Sequence, residues 1–331
     1  MKKNSIFSVP FGHHFSQDGK MLLRIPVIVT ALFLLTNCAS SQDKTGANLE
    51  RQIKLQQIEQ QLIAEPASKE KRTAAEFEEQ GDRYLLKGDS NRAYIYYAKG
   101  LGVAPDNVSL IHKQGALLLK KGKFAEAEAV YEKLLTVNNK NSVALEGRGK
   151  AYFGQGKFTE AEQDFLTALA ISSEQWQSHE FLGLIYSRRQ EYDQAINRFK
   201  TVLGQQPRNE SISNNLAVTY YLNGNFQEAV LLLKGLVKTT QNRKVYNNLA
   251  LASFQLGLYD EALDAFKRGS ENEAVAYNNM GSEFLTSKKY KKAIQAFEKA
   301  IDLHPKFYPS AQNNLLIANH ALSNAASEAT D

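Results

Sequence analysis

Residues 142–175 read SVALEGRGKAYFGQGKFTEAEQDFLTALAISSEQ, and the placement of small and aromatic side chains in this stretch is written seven times between Ala74 and Phe307. The small residue stands at Gly81, Gly115, Gly149, Gly183, Ala217, Ala250 and Gly281. An alanine follows twelve residues later in every copy, at Ala93, Ala127, Ala161, Ala195, Ala229, Ala262 and Ala293. From copy to copy the spacing is 34, 34, 34, 34, 33 and 31 residues, and a period of this length marks units that bury their apolar faces against each other. Within a copy, Gly88, Gly122, Gly156, Gly224 or Gly257 predicts the end of a first helix, since glycine takes positive φ cheaply. Two residues on, Phe124, Phe158, Tyr192, Phe226, Tyr259 or Tyr290 opens a second helix. Pro105, Pro207 and Pro305 close their copies, because proline cannot continue a helix.

A helix-turn-helix unit of about 34 residues with these small positions resembles the tetratricopeptide repeat (TPR), and the resemblance covers 234 of the 331 residues. It implies an all-α fold: a TPR α-solenoid, a right-handed superhelix of about seven helix-turn-helix repeats with a C-terminal capping helix. The packing reason is close approach of two helix backbones, read here as Gly149 against Ala161 with Tyr152, Phe158 and Phe165 filling the space beside them. The segments follow as 1–37, 38–73, the seven units at 74–307, and a cap and tail at 308–331. In the last of these Leu315, Leu316, Ile317, Ala318 and Leu322 suit a helix from Pro309 to about Leu322.

Before the repeats, Arg24 precedes an apolar run from Ile25 to Leu35, too short for a span of about 20 residues and suited to a signal peptide. The run ends at Cys38, the single cysteine of the protein. A lone cysteine after such a run resembles the lipobox of bacterial lipoproteins, and that resemblance implies lipidation of Cys38. With Ala39 following, it implies anchoring at the outer membrane, periplasmic face. The alternative is an uncleaved anchor with an incidental thiol; Met21 reads as an alternative start. Residues 39–45 read as a flexible leader, and 48–64 as a helix with a patchy apolar face.

Composition is that of a soluble globular chain, 43% apolar and 23% charged. The formal charge of +5 falls to +2 when the four basic residues and one acid of 1–37 are removed, so no nucleic-acid partner is implied. His112, His179, His304 and His320 are scattered singles with no second ligand at metal spacing. His112 and His179 read as surface or groove residues. The glycines recur at packing positions rather than in a phosphate loop. The chain therefore reads as no enzyme, with no cofactor and no metal.

What remains is the concave surface that first helices line in TPR arrays. Helical spacing turns Glu78, Glu79, Asp82, His112, Lys113, Glu146 and Lys150 toward it in the first three units. In units four to six it turns Phe181, Leu184, Val218, Tyr221, Leu222, Leu251 and Phe254, an apolar strip of the kind that marks a protein-binding groove. The alternative is that rotation of the helix buries several of them. Asparagine pairs recur beside the strip at Asn214-Asn215, Asn247-Asn248, Asn278-Asn279 and Asn313-Asn314. An amide both donates and accepts, so such a ladder can hold a partner's main chain, or else the amides simply cap and solvate the helix.

The run Asn214-Asn215-Leu216-Ala217, then 223–229 (NGNFQEA), then 247–252 (NNLALA) with Gly257, Tyr259, Glu261 and Ala262, resembles TadD, the TPR lipoprotein family of the tight-adherence (Flp) pilus system. This likeness covers roughly residues 205 to 285. It implies a scaffold that supports secretin assembly, with a secretin or another pilus-assembly subunit as partner. A type IV pilotin, or an adaptor for periplasmic proteases or cell-wall hydrolases, fits the same residues, and an enzyme or carbohydrate-binding repeat protein is the reading from another class.

Overall fold

The computed structural model describes residues 72–304 and 308–327, and every regular element among them is an α-helix. The signal segment 1–37, Cys38, the leader, the helix expected at 48–64, Pro305 and Phe307 lie outside the described residues. No described helix is long and apolar enough to cross a membrane.

The helices are α1 (Ala74–Leu86), α2 (Ser90–Val103), α3 (Val108–Lys120), α4 (Phe124–Val137), α5 (Ser142–Gly154), α6 (Phe158–Ile171), α7 (Trp176–Arg188) and α8 (Tyr192–Gln205). They continue as α9 (Glu210–Leu222), α10 (Phe226–Leu236), α11 (Arg243–Gln255), α12 (Tyr259–Gly269), α13 (Glu273–Thr286), α14 (Tyr290–Asp302) and α15 (Pro309–Ser327). Consecutive pairs form seven hairpins of a TPR solenoid. All six aromatic residues expected to open second helices are the first residues of α4, α6, α8, α10, α12 and α14.

Local chemistry sets both ends of the first helices. Six open on a polar cap: Thr73 forms a capping box with Glu76, and the side chains of Asn107, Asn141, Asn209, Asn242 and Asn272 accept from backbone N–H groups of the first turn. Each such cap contributes about 1 kcal/mol. At the other end the five turn glycines have φ between 73° and 80°. Gln190 and Lys288 take the same left-handed turn at φ 64° and 57° in the two hairpins whose sequence lacks the glycine.

The described helices divide into two compact units, α1–α8 and α9–α15. In the first, Phe165 fills the space beside Gly149 as expected: a methyl group added at Gly149 would lie 2.8 Å from Cε1 of its ring, one helical turn beyond Ala161. Gly81, Gly115 and Gly183 likewise face Tyr97, Tyr131 and Phe199, each sixteen residues further on. Ala161 and Phe165 share one buried face of α6, since residues four apart on a helix align. The alanine admits the helix and the ring fills the contact.

In the second unit the same places are filled by Leu233 against Ala217, Phe266 beside Ala250, and Phe297 against Gly281. Phe254, Tyr259 and Phe284 form a mutual ring cluster with centroids 5.0–5.2 Å apart. The closing helix buries Ala311 and Ala318 and packs Leu315 on this core, leaving Leu316 and Ile317 exposed. It runs to Ser327 rather than Leu322, because residues 323–327 contain neither glycine nor proline to stop it.

Candidate partner-binding face

The first helices of the hairpins carry the residues expected to meet a partner, apart from Asn313 and Asn314 on α15. In the first unit, Phe181 on α7 is half-buried, stacked on Phe165 at 5.3 Å and edge-on to Phe153 at 5.0 Å. Leu184 is 5% exposed and belongs to the core. In the second unit, Val218, Tyr221 and Leu222 of α9 and Leu251 of α11 are half-buried, whereas Phe254 is 3% exposed. The expectation that Leu184 and Phe254 form an exposed strip is therefore corrected. Each hairpin rotates its first helix so that one edge of the stripe packs on the neighbouring helix, and Phe254 completes the ring cluster instead.

The asparagines are mostly engaged with one another or with backbone. Asn248 Nδ2 donates to Asn214 Oδ1 at 2.9 Å, tying α11 to α9, and Asn314 Nδ2 donates to Asn278 Oδ1 at 3.1 Å, tying α15 to α13. Asn247 donates to the Gly269 carbonyl at 3.3 Å, leaving its own Oδ1 buried with no partner. Asn279 lies 3.5 Å from the Ser270 hydroxyl. The Asn248 and Asn314 amides tie neighbouring units together, and Asn247 joins the two helices of its own hairpin. Asn215, half-buried, makes no side-chain hydrogen bond among the described residues, so its amide is left to meet a main chain.

Charge on the inner face of the first unit is organised by lysines. Lys113 Nζ lies 2.6 Å from Glu78 and 2.7 Å from Asp82, and its bond to Glu78 holds that carboxyl below the usual range. Lys150 bridges Glu146 at 2.6 Å and Gln177 at 2.8 Å, while the Ser178 hydroxyl donates to Glu146 at 2.9 Å. The Glu180 carboxyl is pushed up by burial, with Lys150 opposing the shift and Glu146 adding to it. His179 is not a groove residue: it is 8% exposed, its ring nitrogens 3.3 Å from the Ser173 carbonyl and from Arg198. No group of three or more His, Cys, Asp or Glu among the described residues is placed to hold a metal.

One residue escaped the sequence reading. Glu283 on α13 is 7% exposed, makes no side-chain hydrogen bond or ion pair among the described residues, and has its carboxyl pushed up to about 7 by burial. The signal was present: the equivalent position holds Leu117, Ala151, Ile185, Thr219 and Ala252 in five other hairpins, so a carboxylate there breaks the pattern.

Comparison with known proteins agrees with this architecture. Models described as tetratricopeptide repeat match residues 112–175, 188–251, 244–272 and 274–307, together more than half of the chain. A solved tetratricopeptide repeat protein from Parabacteroides merdae superposes with a TM-score of 0.51 at 23% identity, over 74% of this chain and 98% of that one. YrrB, described as a TPR protein with an unusual peptide-binding site, gives 0.46 at 19% identity over 55% and 96%. Tetratricopeptide repeat protein 12 of Mus musculus is 29% identical over 99 residues, which span 29% of this chain and 14% of that protein.

Proposed function

This chain belongs to the tetratricopeptide repeat family, and from that premise we propose that it is a protein-binding scaffold held by a lipid on Cys38 at the periplasmic face of the outer membrane, supporting secretin assembly in a tight-adherence (Flp) pilus machine. TPR proteins bind protein partners in general, and their fold is typically a non-catalytic scaffold. The observation that carries the reading for this chain is the half-buried row on α9 and α11, Asn215, Val218, Tyr221, Leu222 and Leu251, in which apolar surface stands beside an unengaged amide. Such a row supplies both the apolar anchor and the main-chain contact that peptide recognition needs. The anchor rests on the run Ile25 to Leu35 ending at the single cysteine, and several acyl chains at about 0.8 kcal/mol per buried methylene hold a protein firmly. The pilus assignment rests on the paired Asn-Asn-Leu units and the 31-residue spacing between Ala250 and Gly281.

The test is co-purification from a bacterium that carries the secretin. Palmitate labelling and outer-membrane fractionation of the native chain and of Cys38→Ser address the anchor, and Tyr221→Ser combined with Leu251→Ser addresses the groove. The reading requires that Cys38→Ser lose label and membrane attachment, and that the double variant stay folded while losing the secretin. Retained label in Cys38→Ser removes the anchor, and secretin recovery unchanged by the double variant removes the groove.

A further inference from the structure

The second unit holds a buried carboxyl that no cation pairs with among the described residues. Glu283 is more than nine-tenths buried and without a side-chain partner, yet its carboxylate is felt by Tyr221, whose phenol is pushed up to about 12 by burial first and by Glu283 second. Tyr221 comes from α9 and Glu283 from α13, and α11 contacts both: Asn248 bonds to Asn214, and Phe254 packs on Phe284 at 5.1 Å. Glu283 stands one helical turn beyond Asn279, on the side of α13 that carries the expected groove residue. Gln255 of α11 has its amide 3.5 Å from the Tyr221 hydroxyl. Lys289, which precedes α14, and Lys292 stand over the Tyr259 ring at 4.7 Å and 4.6 Å from its centroid, and lie 5.9 Å and 5.6 Å from the Phe254 and Phe284 rings.

We propose that Glu283 is the socket for a lysine or arginine of the protein partner lying along the inner face of α9, α11 and α13. The proposal rests on the scaffold reading above and adds to it the chemistry of the anchor. A carboxylate stripped of water and left unpaired is unfavourable, and an incoming cation that completes the pair removes that penalty only in the complex. The surroundings suit a long cationic side chain, since Tyr221 and Leu251 offer apolar surface to the methylene stem while the head reaches the carboxylate. The same sign recurs on the corresponding face of the first unit, where Glu146 and Glu180 share the single Lys150.

The experiment uses the full chain in detergent and an array of acetylated, amidated dodecapeptides of alanine, leucine and asparagine, each with one fixed lysine, arginine, norleucine or glutamate. The expected result is retention of lysine and arginine peptides about tenfold above their norleucine counterparts, the size of a single desolvated charge contact. Glu283→Gln should bring that preference to within about twofold, and Glu283→Lys should transfer it to the glutamate peptides. The melting temperature of Glu283→Gln should not fall, which separates loss of an anchor from loss of fold. Equal retention of lysine and norleucine peptides, or a preference that survives Glu283→Gln, overturns the proposal. If peptides of every class are held equally and Tyr221→Ser with Leu251→Ser releases them, the groove stands and the basic anchor falls; if no class is held, both fall.

Discussion

Glu283 also makes the stability of its unit depend on pH, in a direction fixed by its burial. The native carboxyl keeps its proton up to about 7, whereas the unfolded chain releases it near the ordinary 4.5, so the folded state binds more protons across that window. Stability therefore falls as pH rises through it and levels off above. Relative to the native chain, Glu283→Gln should be unchanged below pH 4 and more stable by about 3 kcal/mol above pH 8. Chemical denaturation at both pH values measures this, and a difference independent of pH would refute it. At the helix crossings the lesson is steric. In Gly149→Ala the new methyl meets the wholly buried ring of Phe165, which has no room to retreat, so a loss of about 1–3 kcal/mol is expected. Gly102→Ala, with nothing within 4 Å, provides the control and should be neutral or slightly stabilising.

At the scale of the element, the turn between the two helices of a hairpin demands one residue with positive φ. Five hairpins meet that demand with glycine, while the fourth and seventh force Gln190 and Lys288 into it. A side chain in this conformation costs about 1 kcal/mol, so Gln190→Gly and Lys288→Gly should each raise stability by about 0.5–1 kcal/mol, read as a higher denaturant midpoint with unchanged slope. A midpoint that drops in both would mean that the side chains make compensating contacts. These turns show which parts of the fold the sequence exposes. Glycine positions, opening aromatics and helix boundaries were legible because each is decided within a few residues. Phe165 beside Gly149 was legible as well, but not how close the ring comes, since the depth of the helix crossing sets that distance. At the candidate site, periodicity picked out Val218, Tyr221, Leu222 and Leu251, which are half-buried, but it could not give the rotation that buries Leu184 and Phe254. Nor could it foresee that Asn248 and Asn314 would be used in tying repeats together.

At the scale of the whole molecule, a stack of hairpins has no common centre, and each helix relies on the one beside it. The closing helix α15 is the clearest case. It buries Ala311 and Ala318, packs Leu315 on the core of the second unit, and donates from Asn314 to Asn278. Removing residues 308–331 would expose the face of α13 and α14 that these side chains cover and would free the Asn278 amide. The loss should be graded rather than global. Amide hydrogen exchange should show protection falling most in α13 and α14, less in α11 and α12, and least in α9 and α10, since energetic coupling in a repeat array passes only between neighbours. Circular dichroism of the shortened chain should accordingly show partial loss of helix with a broadened melt. Uniform loss of protection from α9 to α14 would mean that the second unit folds as one cooperative block, and unaltered protection in α13 and α14 would mean that α15 is not a cap at all. The gradient also bears on binding. Glu283 lies on α13, inside the region that the cap holds in place, whereas Tyr221 lies two hairpins away on α9. A shortened chain should therefore lose the preference for cationic peptides before it loses peptides altogether.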